Sequence, residues 1–254
     1  MTRIGDYAFA AMSELVNAVI PGSVGGNLGI YLFRECSSLE TVVFGEGVTR
    51  IPAYCFILSG SKDEESGDTF YYSKLDSVTL PSTLQSIGEA AFAYAGPRYI
   101  GEGSTYGNLK FILPAASDLR VIEKTAFYRA SVKSLALPAC FEEIGEMAFF
   151  GCRSLARVTF GTAEGGSALR TLGGACFAYC TGLQDITIWK EIASPADVPV
   201  IEYYTVTTTT ENVSFNLFAG ATAPTIYVRS AEIYRTVEHW DEYDAKILDV
   251  PSTH

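Results

Sequence analysis

The sequence LDSVTLPSTLQSIGEAAFAYA, residues 75–95, decides the fold because it contains two phrases that recur along the chain. The first phrase is an aliphatic residue, usually followed by Gly, then three variable positions and Phe; here it runs from Ile87 to Phe92. The second phrase is Leu-x-x-Val-x-Leu-Pro, from Leu75 to Pro81. Self-similarity at a regular spacing is the sequence signature of a repeat architecture.

The first phrase occurs eight times in one register, with Phe always five positions after the aliphatic residue. The shortest units place consecutive Phe residues 24, 23 and 22 positions apart, at Phe9 to Phe33, Phe33 to Phe56 and Phe127 to Phe149. Insertions lengthen the other units. The eight copies end at Phe9, Phe33, Phe56, Phe92, Phe127, Phe149, Phe177 and Phe218.

The second phrase predicts a short strand with one buried face, because its last three apolar positions alternate and are β-branched or large. Pro81 ends the strand, since proline has no N–H to continue a ladder. One repeat unit, which contains both phrases, forms one coil of the chain. A single coil cannot bury its apolar side alone, so neighbouring coils must stack on it. The copies of this phrase begin at Leu39, Leu75, Val132, Leu155 and Leu183.

The two phrases together resemble the BspA-type leucine-rich repeat, which is found in bacterial surface proteins and in some protozoan surface proteins. The resemblance covers roughly residues 4–250. It implies an α/β leucine-rich-repeat solenoid, a horseshoe of about eight repeats, with a parallel sheet on its concave side and a C-terminal capping helix. The expected domain organisation is a single array over 4–229, with insertions near 60–73, 96–107 and 189–212, followed by a cap over 230–250.

The sequence makes a prediction about the structure at each end of the array. We expect Ser230 to be the N-cap of the capping helix, with Ile233, Val237 and Trp240 on one helical face. The first phrase begins at Ile4 without a capping sequence before it, so we expect missing upstream sequence or an N-terminal partner.

The turn between strands departs from the family's pattern. The Asn that many leucine-rich repeats stack into a ladder is replaced here by Gly47 or Thr83. Satisfaction of the backbone groups in this turn must therefore differ from that in the family.

Composition excludes several function classes. Eighteen Lys and Arg against 29 Asp and Glu give a net charge of −11, which disfavours binding to nucleic acid. No stretch approaches the roughly 18 to 20 apolar residues of a membrane span, so we expect no membrane insertion. The first residues lack the pattern of a secretory signal, which fits a cytosolic protein and equally a fragment whose signal was removed.

The sequence predicts no enzyme. No Ser or Cys lies in the sequence context of a catalytic nucleophile that His239 could activate. The pairs Glu142-Glu143 and Glu64-Glu65 are adjacent residues, so their carboxylates do not converge across a cleft as glycoside hydrolysis requires. We interpret these side chains as solvated surface, and we expect no cofactor and no metal.

Three of the six cysteines occupy a common slot. Cys36, Cys152 and Cys180 each lie three positions after a repeat Phe, where other copies have Ala, Met or, after Phe56, Ser. Such a slot is a small apolar pocket, so we expect buried free thiols. A disulfide between Cys152 and Cys180, which lie in adjacent units, stays an alternative.

The candidate ligand-binding residues lie in two places. Two insertions at the same point of consecutive units carry Tyr71, Tyr72, Tyr99 and Tyr106, and Tyr is enriched at recognition surfaces. On the outward strand positions of three successive units, we expect a local basic stripe. Its members are Lys110, Lys133 and Arg157.

The resemblance implies display at the cell surface or outside the cell and adhesion through the concave sheet and edge loops. The expected partner is a host or matrix protein. Two alternatives stay open: a structural spacer or assembly element of a larger surface protein, and a glycan-binding module that recognises a polysaccharide.

Overall fold

The computed structural model describes residues 1–57, 60–62, 71–96, 108–207 and 212–251. Each coil of the chain contains a main strand, a loop, a two-residue minor strand and a tight turn that carries the repeat Phe. Neighbouring coils stack side by side, so that equivalent strands pair in parallel. The chain is therefore a solenoid, as the two recurring phrases predict.

The main strands form two parallel sheets because every second side chain is apolar and points into the core. In the strand Thr41–Phe44, for example, Val42 and Phe44 are buried, whereas Val43 faces solvent. The first main sheet has the order β1 (Asn17–Ile20), β2 (Thr41–Phe44), β6 (Ser77–Thr79) and β8 (Lys110–Ile112). The second has the order β10 (Ser134–Leu137), β12 (Arg157–Phe160), β14 (Asp185–Ile188), β18 (Thr225–Val228) and β19 (Ile247–Asp249).

A minor sheet lies on the other side of the coils. Each of its strands supplies one buried aliphatic residue, such as Ile87 or Ile144, which is the first residue of the Phe phrase. Ile4 and Leu28 pair in the same way as an isolated bridge. The strands are β3 (Arg50–Ile51), β7 (Ser86–Ile87), β9 (Val121–Ile122), β11 (Glu143–Ile144), β13 (Thr171–Leu172) and β15 (Val200–Ile201).

Two of the insertions contain antiparallel hairpins. The strands β4 (Gly60–Lys62) and β5 (Tyr71–Ser73) pair between a Phe turn and the next main strand. The strands β16 (Tyr204–Thr207) and β17 (Asn212–Phe215) pair between a minor strand and a Phe turn. The two hairpins therefore leave the coils at different points of the repeat. Residues 97–107, which hold most of the remaining insertion, lie outside the described residues.

The repeat Phe rings form one continuous column through the core. All seven neighbouring pairs are stacked, with centroids 4.9–6.2 Å apart and planes within 23° of each other. Seven of the eight rings are buried, and Phe9 at the N-terminal end is partly buried. The predicted register of the eight Phe phrases is thus confirmed.

The Phe turns repeat an unusual backbone geometry. The residue two positions before the Phe has a positive φ in seven copies, including Tyr31 (57°), Thr125 (52°) and Met147 (52°). This left-handed conformation is unfavourable for residues other than Gly. It directs the N–H toward the next coil, where the Thr125 N–H donates to the Glu146 carbonyl at 2.9 Å. Hydrogen bonds between coils therefore offset the backbone strain.

Gly follows the minor strand because consecutive coils approach closely there. A Cβ at Gly145 would lie 2.5 Å from the Lys124 backbone nitrogen, and one at Gly29 would lie 2.2 Å from the Asp6 nitrogen. At Gly5, in the first coil, a Cβ would meet nothing within 4 Å.

A threonine satisfies the turn where many leucine-rich repeats stack Asn side chains into a ladder. The Thr83 hydroxyl oxygen accepts a hydrogen bond from the Gly47 N–H at 2.9 Å and donates to the Val48 carbonyl at 2.9 Å. One side chain thus satisfies a donor and an acceptor of the preceding coil, so the backbone groups of this turn are paired without an Asn.

The cysteines of the common slot join neighbouring coils through their thiols. The buried Cys152 thiol donates to the Phe127 carbonyl at 2.9 Å, and the buried Cys180 thiol donates to the Phe149 carbonyl at 3.0 Å. Cys36 makes the same contact with Phe9 at 3.0 Å. All three are buried free thiols, as predicted.

The C-terminal cap differs from the predicted helix. The α-helix α1 spans only Ala231–Tyr234, and a 3-10 helix follows over Asp241–Lys246 before β19 adds a last strand to the second main sheet. Ser230 occupies the predicted N-cap position, but its φ of 60° lies in the left-handed region and its side chain makes no capping hydrogen bond. The Ala231 N–H instead donates to the Asp249 carboxylate at 2.9 Å. Shorter 3-10 helices span Gly22–Val24 and Pro195–Asp197.

Trp240 nevertheless seals the end of the core. Its side chain is buried, packs edge-on against Tyr234 at 4.9 Å between ring centroids, and donates its indole N–H to the Pro199 carbonyl at 2.6 Å. The cap is therefore built from one aromatic cluster and one added strand rather than from a continuous helix.

Candidate functional site

The solvent-facing side of the main sheets presents two parallel rows of side chains, because every second residue of a strand points outward. The first residue of each strand forms a polar row. The third residue forms a second row, in which parallel pairing places Val19 beside Val43, Val43 beside Thr79 and Thr79 beside Ile112. We call these four residues the aliphatic row.

The aliphatic row exposes large apolar side chains to solvent. Val19 is 72% exposed, Ile112 is 50% exposed and Val43 is 38% exposed. Single exposed aliphatic residues are ordinary, but adjacent parallel strands lie only about 4.8 Å apart, so these side chains form one strip. The same row continues on the second main sheet with Ala136, Thr159, Thr187 and Tyr227, and it ends at Leu248, which is 45% exposed.

The polar row carries the basic residues that the sequence singles out. Lys110 begins β8 and forms an ion pair with Asp76 at 3.0 Å, and Arg157 begins β12 and pairs with Asp185 at 3.6 Å. Each cation is at least half exposed, so these pairs contribute little to stability.

The predicted basic stripe is therefore not a single row of positive charge. The residue of β10 in register with Arg157 is Ser134, and Lys133 lies one position earlier. The backbone of Lys133 bridges two coils, because its N–H donates to the Asn108 side chain and its carbonyl accepts from Ala156. Its side chain is exposed and forms no ion pair within the part of the chain that the structure describes.

The predicted tyrosines are only partly placed. Tyr71 and Tyr72 belong to β5, whose backbone pairs with β4. Tyr99 and Tyr106 lie outside the described residues, as do Glu64 and Glu65. The expectation that the four tyrosines share one surface therefore stays a prediction.

The side chains weighed for catalysis have structural contacts. Glu142 lies 2.8 Å from the Arg120 guanidinium and 3.7 Å from that of Arg170, so it joins three successive coils of the minor sheet. His239 packs edge-on against Tyr203 at 4.3 Å between ring centroids and lies 3.9 Å from Glu242. Among the described residues there is no group of three or more His, Cys, Asp or Glu side chains suited to a metal ion.

The aliphatic row is the functional candidate that the sequence interpretation missed. The signal was present in the strand pattern, since Thr-Val-Val-Phe at 41–44 places a β-branched apolar residue at an outward position.

A family model described as the BspA type leucine rich repeat region matches the chain in six copies, over residues 1–63, 64–196 and 100–223. No curated protein matches it by sequence. Within residues 1–57, 60–62, 71–96, 108–207 and 212–251, no helix is both long and apolar enough to cross a membrane.

Several solved structures are similar to the chain. A leucine-rich repeat protein of T. pallidum is 19% identical, with a TM-score of 0.43, and the match covers 80% of this chain and 66% of that one. The pneumococcal vaccine antigen PcpA is 20% identical, with a TM-score of 0.46, and the match covers 100% of this chain and 60% of that one. A leucine-rich cell surface protein of Faecalibacterium prausnitzii is 20% identical, with a TM-score of 0.42 over 80% of this chain and 60% of that one. The chain thus spans less than two thirds of the length of these proteins.

Proposed function

This chain belongs to the BspA-type leucine-rich repeat family, and from that membership we propose that it is a non-enzymatic protein-interaction module. Its binding surface is the solvent-facing side of the first main sheet, centred on the aliphatic row. The partner is a host or matrix protein, and the chain acts at the cell surface or outside the cell as an adhesion module.

The observation that carries this proposal is the exposure of Val19, Val43 and Ile112 in one register row. Water-exposed apolar strips of this kind mark interaction surfaces, because their burial against a partner releases free energy at roughly 25 cal/mol per Å². The row lies on rigid paired strands, so little conformational entropy is lost when a partner binds.

The flanking polar row supplies specificity in this proposal. Lys110 and Asp76 place a pair of opposite charges beside the apolar strip. Charged groups at the rim of an interface select partners and speed encounter more than they add affinity. Tyr71, Tyr72, Tyr99 and Tyr106 remain candidate contacts, and Lys133 is a candidate for a charge-mediated contact.

The test is a binding comparison of two matched substitutions. Val43→Asp places a charge in the aliphatic row of the first sheet, and Ala136→Asp places the same charge at the equivalent row position of the second sheet. Both variants and the wild type are measured by biolayer interferometry against a panel of purified extracellular matrix proteins. Val43→Asp is expected to weaken binding by about tenfold or more, and Ala136→Asp to leave binding unchanged.

Two results would overturn the proposal. Equal affinities of Val43→Asp and the wild type would place the interface elsewhere on the molecule. Failure of the wild type to bind any protein of the panel would favour the spacer function, in which the repeats only extend a larger surface protein.

A further inference from the structure

A cleft lies at the carboxyl ends of the strands of the second main sheet. The loop 161–166 follows β12, Trp189 follows β14, Arg229 follows β18 and Val250 follows β19. Because parallel strands all end at the same edge, these four segments converge there and line an open cleft of about 690 Å³. Crevices outside the carboxyl ends of parallel strands are frequent ligand sites. We call this feature the C-terminal cleft.

One wall of the C-terminal cleft is a tightly closed loop. The backbones of Thr162 and Gly166 exchange two hydrogen bonds of 3.0 and 2.9 Å, and the Gly165 N–H donates to the Thr162 hydroxyl oxygen at 2.8 Å. A Cβ at Gly161 would lie 1.9 Å from the Gly166 carbonyl oxygen. The loop therefore holds Glu164 at the cleft in a preformed conformation.

The opposite side is fixed by Arg229. Its guanidinium lies over the Trp189 ring, 5.4 Å from the ring centroid, donates to the Ala163 carbonyl at 2.5 Å and forms an ion pair with Glu191. The Arg229 side chain is 28% exposed. These contacts join the ends of three strands, so the shape of the cleft does not depend on a ligand.

Polar groups at the rim are left available to a ligand. The side chains of Glu164 and Ser230 make no hydrogen bond to any residue that the structure describes. One oxygen of the Asp249 carboxylate accepts a hydrogen bond from the Ala231 N–H, and the other oxygen accepts none from the described residues. Ser230 adopts a φ of 60°, and backbone strain in a residue other than Gly is typical of sites where a side chain must be held in a particular direction.

The charges of the C-terminal cleft exclude several ligand classes. The positive charge of Arg229 is neutralised by Glu191, and the further carboxylates of Glu164 and Asp249 would repel a phosphate or another anion. A metal ion also fits poorly, because no cluster of three ligating side chains is found in the described part of the chain. A neutral ligand rich in hydroxyl groups fits these side chains, because carboxylates accept hydrogen bonds from hydroxyls and an indole ring contacts the apolar face of a sugar.

We propose that the C-terminal cleft binds a short oligosaccharide, with Trp189 as the apolar contact and Glu164 and Asp249 as hydrogen-bond acceptors. The volume of about 690 Å³ falls within the range of preformed small-molecule sites and suits two or three sugar rings. This site is separate from the aliphatic row, so the chain has a saccharide site at one edge of its second sheet and a protein-binding face on its first sheet.

The experiment uses the intrinsic fluorescence of the chain, which has two tryptophans. Trp240 is 1% exposed in the core, so a ligand that changes the fluorescence acts at Trp189. The full chain is first screened on a glycan array, and the strongest ligand is then titrated in solution. We expect a saturable fluorescence change that Trp189→Phe abolishes, and a loss of affinity of about tenfold in Glu164→Gln, measured by isothermal titration calorimetry.

The control is Glu143→Gln, which makes the same charge change at an exposed position of the minor sheet and is expected to leave affinity unchanged. Thermal denaturation of each variant verifies that it folds like the wild type. Absence of any array ligand overturns the proposal, as does a ligand whose affinity is the same for Glu164→Gln and the wild type. Neither result affects the protein-binding face, which is tested separately by Val43→Asp.

Discussion

The rings of Phe127 and Phe149 lie face to face, with centroids 5.0 Å apart and planes 7° from parallel. The two residues belong to consecutive coils of the shortest unit, and the Phe127 N–H donates to the Ala148 carbonyl at 2.7 Å, one residue before the second Phe. Backbone and ring thus repeat together from coil to coil. This coupling makes the Phe column the element that fixes the rise of the solenoid.

The column predicts a large cost for removing one ring. Phe127→Ala deletes a buried side chain that stacks on Phe92 and Phe149, so the free energy of unfolding is expected to fall by about 3–5 kcal/mol. Phe150→Ala removes a partly exposed ring that stacks on Tyr128 at 5.1 Å, and it is expected to cost about 1 kcal/mol. Urea denaturation of both variants measures the difference, and equal costs would show that the column is not the principal core.

The glycine of the Phe phrase predicts an effect that depends on position in the array. In Gly145→Ala the new Cβ meets the Lys124 backbone at 2.5 Å, so one coil must shift, and we expect a loss of about 1–3 kcal/mol. In Gly5→Ala the Cβ meets nothing within 4 Å, and stability should change by less than about 1 kcal/mol. A large loss in Gly5→Ala would mean that another segment packs on the first coil.

The repeat phrases contain enough information to predict the solenoid, for a physical reason. A side chain that recurs at one position of every coil meets copies of itself, so spacing in sequence becomes adjacency in space. The Phe column, the parallel strands and the cysteine slot could all be predicted in this way. The cap could not, because it occurs once and depends on Asp249, which caps Ala231 from the following strand.

The candidate sites were harder to predict than the fold. The basic stripe fails at Lys133, because Ser134 and not Lys133 pairs with Arg157. The segment from the repeat Phe to the main strand is one residue shorter in this coil than in the next one. The C-terminal cleft gives no local signal, since Trp189 and Arg229 come from strands 40 residues apart in sequence. Their contact exists only because parallel pairing places Ile188 beside Val228.

Burial predicts that the cysteine thiols are unreactive in the folded chain. Desolvation raises the pKa of the Cys152 thiol, and it raises the pKa of the Cys180 thiol to about 12. Because the thiolate is the reactive form, Ellman's reagent at pH 8 should react slowly and mainly with the partly exposed Cys140. After denaturation all six thiols should titrate. If only four thiols reacted after denaturation, the other two cysteines would form a disulfide.

Acid should weaken the contact between two neighbouring coils at Glu46. Its carboxylate accepts hydrogen bonds from the Ser82 N–H at 3.0 Å and the Ser82 hydroxyl at 2.8 Å, and these bonds lower the pKa of Glu46. The stabilisation is therefore fully present above the ordinary Glu pKa of about 4.3 and is lost as the pH falls through the lower pKa of the folded state.

Glu46→Gln measures this contribution. The variant should be less stable than the wild type at pH 7, and the gap in stability should narrow as the pH falls through the lowered pKa of the Glu46 carboxylate. Glu232→Gln, on the exposed side of α1, controls for the change in net charge. A gap that is constant across this pH range would show that the hydrogen bonds to Ser82 do not depend on ionisation.

The most direct measurement of the binding surface is hydrogen–deuterium exchange of the chain, free and in complex with a matrix protein that it binds. The account predicts that binding slows exchange in peptides that cover β1, β2, β6 and β8, the strands that carry Val19, Val43, Thr79 and Ile112. Peptides from β12 and β14 should exchange as in the free chain. Protection confined to the minor sheet or to the second main sheet would contradict the account.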